Sequence, residues 1–176
     1  MLLEKNNIKL RSPEMEDLDF LFEIENDISL WHLSSTLSPF SRFDLEQYIL
    51  TANKDIFHSR QLRFIIELNS NSTVGVIDLF NFDPVNKRAG VGIIIKDSEK
   101  KKGYATTALD ILFNYSVSKL DIHQLYCNIE VSNTASLRLF ENMGFLRSGI
   151  KKEWNLKDGI WVDEVFLQKI YKTKTK

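Results

Sequence analysis

Three isoleucines in a row, Ile93-Ile94-Ile95, break into Lys96-Asp97-Ser98-Glu99 and then Lys100-Lys101-Lys102-Gly103, after which a helical pattern opens at Tyr104-Ala105-Thr106. The apolar run reads as a buried strand. The helix that follows buries Ala105, Ala108, Leu109 and Leu112, spaced i, i+3, i+4, i+7, and runs from about Gly103 to Leu120. A further strand spans about His123 to Val131. A strand–helix–strand unit makes a crossover, so the flanking strands are expected to run parallel. The turn itself suits phosphate: a helix's first N–H groups lack intrahelical acceptors, and its dipole favours an anion there. Gly103 can take a backbone conformation that a side chain resists. The competing reading is a solvated loop whose lysines only wet the surface.

Around this unit the pattern is antiparallel. Ile8-Lys9-Leu10-Arg11 alternates as a first strand. Ser12-Pro13 opens a helix, with Ser12 as N-cap and Leu18, Leu21 and Phe22 on its face. Asn26 to Ser41 is loop-like, and a second helix covers Asp44 to about His58, with Leu45, Tyr48, Ile49 and Ala52 on one face. Leu62–Leu68, Thr73–Phe82 and Lys87–Ile95 form a meander of strands, joined by Asn69-Ser70-Asn71-Ser72 and Asp83-Pro84-Val85-Asn86. Asn133-Thr134 starts a short helix that ends at Gly144. Phe145–Trp154 and Ile160–Ile170 flank Lys157-Asp158-Gly159 as a final hairpin, and residues 171–176 should fray. The expected architecture is a single α+β domain over 1–176, with a mixed, mostly antiparallel sheet of about seven strands and about four helices.

Totals narrow the function. With 23 basic and 24 acidic side chains the net charge is -1, which argues against a nucleic-acid binder resting on phosphate contacts. A single cysteine, Cys127, removes any disulfide framework; alternating with Leu125 and Ile129, it reads as a core residue. His32, His58 and His123 have no metal-ligand spacing, so no metal is expected. No apolar run approaches the ~20 residues of a membrane span, and the N-terminus lacks a signal-like apolar core, so the expected compartment is cytoplasmic.

Neither phosphate fingerprint is present. No Gly-Lys-Ser/Thr closes the basic turn, and Gly90-Val91-Gly92 precedes the isoleucine run rather than a helix. Two segments together carry a different signal. Lys100-Lys101-Lys102-Gly103-Tyr104-Ala105 sits between strand and helix, and Asn133-Thr134-Ala135-Ser136 opens a helix that closes in Met143-Gly144-Phe145. In that order and on those elements they resemble the GNAT superfamily of acyl-CoA-dependent N-acetyltransferases, in the branch of ribosomal-protein N-terminal and spermidine acetyltransferases. The resemblance implies the GNAT fold and acetyl-CoA as co-substrate. It implies that Ile93, Ile94 and Ile95 offer backbone groups to pantetheine, with a backbone N–H near Ile93 or Ile94 as oxyanion donor. It further implies that Lys100, Lys101, Lys102, Gly103, Tyr104, Ala105 and Thr106 hold the pyrophosphate, and that Asn133, Ser136 and Phe140 lie against the thiol end. A homodimer is the family's habit.

The acid and base are less direct. Many members place a Tyr where Phe140 stands and a Glu where Gly90 stands. Ser136 is the candidate proton donor or hydrogen-bond partner of the sulfur, against a serine satisfied by its own backbone. Asp78 shares a strand face with Val74, Val76, Phe80 and Phe82, where apolar neighbours would suit a general base. Glu130, Glu153 and a water chain are its rivals. Trp31 and Phe40 either wall the acceptor pocket or simply pack. The acceptor is a small amine, a polyamine or a peptide N-terminus. The loop Ser29–Ser41 has no acidic residue, which weighs against a polycation; Glu23, Glu25 and Asp27 precede it. A catalytically silent acyl-CoA-binding module is the alternative.

Overall fold

The computed structural model describes residues 2–31, 36–51 and 55–172. Strands β1 (Glu4–Lys5), β2 (Ile8–Arg11), β3 (Leu62–Leu68), β4 (Thr73–Asp83), β5 (Arg88–Ile95), β6 (Gln124–Glu130), β7 (Leu146–Lys157) and β8 (Ile160–Ile170) form one sheet. Their spatial order is β1-β2-β3-β4-β5-β6-β8-β7. The described helices are α1 (Leu18–Glu25), α2 (Arg42–Thr51), α3 (Ile56–Ser59), α4 (Tyr104–Leu120) and α5 (Thr134–Asn142). One face of the sheet buries Leu109 and Leu112 of α4 and Leu137 of α5 on Ile77, Val91, Leu125 and Leu167. On the other face, Phe20 and Leu21 of α1 and Ile49 of α2 pack on Ile65 and Val76.

Every strand pair is antiparallel except β5 with β6, where the crossover through α4 makes it parallel as expected. That pair is short: Arg88, Ala89 and Gly90 match Gln124, Leu125 and Tyr126, and pairing stops there. Yet β5 continues to Ile95, while β6 stays paired with β8 out to Glu130. A wedge therefore opens in the middle of the sheet, along the isoleucine run.

Several boundaries differ from the sequence pattern. Ser12 caps nothing; a 3₁₀ turn at Met15–Asp17 leads into α1, because Asp17 accepts the Glu14 N–H at 2.8 Å and takes the Arg11 guanidinium at 2.6 and 2.9 Å. The helix expected over 44–58 is split into α2 and α3. Ser41 and Asp44 cap α2 reciprocally, the Asp44 N–H donating to Ser41 Oγ at 3.1 Å, which starts the helix earlier. Ala52, expected on that helix, lies outside the described residues, as does His32. The extra strand is the short β1. The final hairpin turns at Asp158-Gly159, both with positive φ (50° and 78°), as the primed turn requires. Tyr171 is not frayed: its N–H donates to His123 O at 2.8 Å and its ring packs on the core. Residues 173–176 of the expected tail lie outside the described residues.

Candidate active site

The wedge exposes backbone on one side only. Lys96 N–H donates to Val74 O at 2.9 Å, which sets the alternation of β5 against β4. Ile94 therefore turns its N–H and C=O to β4, and Ile93 and Ile95 turn theirs to the wedge, where β6 has left. Of the two oxyanion candidates, Ile93 has the N–H that faces the wedge, and Ile94 spends its own on the sheet.

The turn that follows is a second source of donors. After a 3₁₀ turn at Asp97–Glu99, Lys101 (φ 64°) and Gly103 (φ 82°) take left-handed backbone conformations and reverse the chain into α4. Among the described residues, the backbone amides of Lys101 to Thr106 donate to no acceptor. Such consecutive free N–H groups form an anion nest at the positive end of a long helix. A Cβ on Gly103 would meet nothing within 4 Å, so the glycine is there for its φ and not for space. The lysines are not three free charges. Lys100 pairs with Asp97 at 2.5 Å and Lys102 with Glu99 at 3.0 Å, both exposed, while Lys101 has no ion pair among the described residues.

The far wall is α5. Asn133 caps it, its Oδ1 accepting the Ser136 N–H at 3.1 Å. Ser136 Oγ has no protein partner among the described residues and lines the cleft, about 670 Å³, between α1, β5, the basic turn and α5. The serine is thus not satisfied by its own backbone. Phe140 does not follow it. Its ring is buried in the core, edge-on to Phe145 at 5.1 Å, and it does not line the cleft. The same helix face divides because Ser136 lies in the cleft wall while Phe140, a turn further on, packs into the core against Phe145.

The surroundings of Asp78 are not apolar. Arg63, its cross-strand partner, grips both carboxylate oxygens at 2.7 and 2.9 Å and pairs with Glu25 of α1. Burial opposes the Arg63 charge, and Asp78 and Glu25 more than offset it, so the guanidinium is held firmly protonated. With Arg63 on both oxygens, the Asp78 carboxylate is turned into the sheet's ion cluster and does not line the cleft. At position 90, the space a side chain would need is filled by the Phe80 ring. Glu130 is 5% exposed, and its Oε1 has no partner among the described residues. Glu153 lies on the exposed hairpin. Cys127 is buried, and burial pushes its thiol up, as a core cysteine's should be. Trp31 donates from Nε1 to Glu25 O at 2.9 Å, and Phe40 N–H to Asn26 Oδ1 at 2.8 Å; neither lines the cleft. Glu23 and Asp27 of the α1 segment do line it.

A sheet that opens beside a row of free amides, with a capped helix across the gap, fits an acyl-coenzyme A N-acyltransferase. Residues 7–146 match the family model described as the acetyltransferase (GNAT) domain, and the chain belongs to that family. It is 28% identical over 148 residues to the spermidine N(1)-acetyltransferase of Vibrio cholerae, covering 82% of each chain, and 26% identical over 145 residues to that of Escherichia coli K12, covering 82% of this chain and 75% of the relative. A putative ribosomal N-acetyltransferase of Bacillus subtilis is 30% identical over 104 residues, 59% of this chain and 54% of that one. The crystal structure of the Vibrio cholerae spermidine enzyme with CoA and spermine superposes with a TM-score of 0.84 at 25% identity, covering 94% of this chain and 96% of that one. The protein is an acetyl-CoA-dependent N-acetyltransferase. The unpaired edge of β5 fits the amides of pantetheine, and the free N–H groups from Lys101 to Thr106 fit a pyrophosphate. Among the described residues no helix is long and apolar enough to cross a membrane, and no cluster of three His, Cys, Asp or Glu could hold a metal.

What the sequence pattern missed is Arg63. It reads there as an ordinary strand arginine, and only the register of β3 on β4 pairs it with Asp78.

Proposed function

We propose that the chain transfers acetyl from acetyl-CoA to a primary amine of a polyamine, by direct attack of the neutral amine on the thioester. The observation that carries the acceptor is the placement of Glu23 and Asp27 in the cleft wall, unshared with Arg63, where Glu25 is spent. These carboxylates offset the absence of acid in the loop after α1, and the likeness to spermidine enzymes points the same way. In this reading the Ile93 N–H receives the developing oxyanion, and the Lys101–Thr106 amides with Lys100, Lys101 and Lys102 hold the pyrophosphate. Asn133 fixes the first turn of α5, so that the free Ser136 hydroxyl can protonate or hydrogen-bond the departing sulfur. Asp78 orders α1 through Arg63, and the amine proton leaves by water.

A dodecameric spermidine N-acetyltransferase from Vibrio cholerae superposes with a TM-score of 0.79 at 25% identity, covering 94% of this chain and 95% of that one. The hairpin here leaves Leu146, Ile150, Leu156 and Trp161 exposed on an edge strand and its neighbour. We infer that this chain self-associates through it, which sedimentation would register as a species larger than the 20.5 kDa chain.

The test is thiol release from acetyl-CoA with spermidine, spermine or a peptide bearing a free N-terminus. The expected result is release with a polyamine, in intersecting initial-rate patterns that mark a ternary complex. Turnover on the peptide and none on polyamines overturns the acceptor assignment, and parallel patterns overturn direct attack.

A further inference from the structure

A second polar cluster lies on the sheet face opposite α4 and α5. Leu125, Cys127 and Ile129 of β6 and Val165 and Leu167 of β8 point into the core, so strand alternation sends Asn128, Glu130 and Glu164 to the other face. Glu130 and Glu164 stand directly opposite each other in the β6–β8 register. Two facing carboxylates repel unless cations join them. The cations come from β7. Lys151 Nζ donates to Asn128 Oδ1 at 2.8 Å and Glu164 Oε2 at 2.9 Å, and lies 4.7 Å from the Trp154 ring centre. Lys157 Nζ reaches Glu130 Oε2 at 3.4 Å, alongside Ser132 Oγ at 3.3 Å. Glu130 Oε1 is buried with no partner among the described residues.

Two features mark more than a cross-strand ion pair. First, β7 leaves register between Lys151 and Asn155, and Glu153 sits at φ 49°; this bulge brings Trp154 over the Lys151 ammonium. Second, Asn128 lies two residues past Tyr126, the last β6 residue still paired with β5, so it stands at the apex where the wedge begins to open. A carboxylate, an amide oxygen and an aromatic face are the three groups that recognise an alkylammonium.

We propose that Asn128, Glu164 and Trp154 form a subsite for the acceptor's primary ammonium, which Lys151 fills in the free chain and vacates when the acceptor binds. Lys151 is a primary alkylammonium on a flexible stem, the same chemical group as the acceptor. A polyamine entering there would bring its next ammonium toward the unpaired oxygen of Glu130. The inference deepens the polyamine reading and rests on an amine acceptor.

The test titrates propylamine into the protein by calorimetry, without acetyl-CoA, and measures spermidine kinetics. Lys151→Met should tighten propylamine binding about tenfold by removing the internal competitor. It should lower the KM for spermidine and leave that for acetyl-CoA unchanged. Lys151→Arg, which still fills the site, should show no gain, and adding Glu164→Gln to Lys151→Met should abolish it. Propylamine and spermidine constants for Lys151→Met within about twofold of wild type would reduce the pair to a structural contact and overturn the proposal. On the unmodified chain, saturating propylamine should raise the labelling of Lys151 by acetic anhydride relative to that of the exposed lysines of the same chain, a ratio insensitive to the reagent that propylamine itself consumes; an unchanged or lower ratio contradicts its displacement. Absence of spermidine turnover would defeat the polyamine reading alone, because the propylamine measurements do not depend on it.

Discussion

The Phe80 ring occupies the volume that any side chain at position 90 would need, its edge closer to the ideal Cβ of Gly90 than real atoms approach. Phe80 is itself packed edge-on against Tyr126 of β6 at 6.1 Å, so a swing of the ring toward β6 would drive it into Tyr126. The place where many GNAT enzymes carry a glutamate is thus filled from the neighbouring strand. Gly90→Glu should lower unfolding free energy by about 1–3 kcal/mol through overpacking, and should not speed catalysis. Denaturant titration reads the cost, and Phe80→Ala in the same chain should recover part of it.

Gly103 has open space around it but a φ of 82°. Gly103→Ala should cost about 1–2 kcal/mol of stability from the left-handed conformation alone. The strain falls on the turn that presents the free amides, so the KM for acetyl-CoA should rise while the acceptor KM holds.

Asp78 and Ser136 should separate cleanly. Asp78→Asn loses a partly buried charged partner of Arg63 while Glu25 remains, with a stability cost of about 1–3 kcal/mol, and its kcat should keep the wild-type pH profile. A shifted or vanished basic limb in kcat would restore Asp78 as the base. Ser136→Ala should leave stability nearly unchanged and lower kcat more than about threefold; a smaller loss ends its role at the sulfur.

The Arg11–Asp17 pair predicts an acid limb in stability. Burial opposes the Asp17 charge, but Arg11 and the Glu14 N–H more than offset it and hold the carboxyl below the usual carboxylate range. A depressed folded pKa contributes stability that is present above the unfolded value of about 3.9 and lost as pH falls through the folded one. Asp17→Asn should therefore flatten part of the stability loss below about pH 4, measured as Tm against pH.

The sequence pattern reached as far as local rules reach. The isoleucine run, Gly103 and the Asn133–Gly144 helix each declare themselves through spacing and backbone demand, and they position the cleft. The parallel β5–β6 pair followed from the length of its connection. The split of residues 44–58 into α2 and α3 did not show, since it rests on Asp55, whose non-helical backbone and side chain, accepting the Phe57 N–H at 3.0 Å, start α3 anew. The Arg63–Asp78–Glu25 cluster and the Glu130–Glu164 pairing were invisible because each joins strands or helices distant in sequence. Phe140 shares a helical face with Ser136, yet only the packing of Phe145 shows that the face divides.

The central claim, that acetyl-CoA lies in the β5–β6 wedge with its pyrophosphate on the turn before α4, is tested most directly by amide hydrogen exchange with and without CoA. The account predicts new protection at Ile93 and Ile95 and from Lys101 to Thr106, with Ile94 unchanged because it is already bonded to β4. Protection confined to other strands, or no protection in this stretch at saturating CoA, would contradict it.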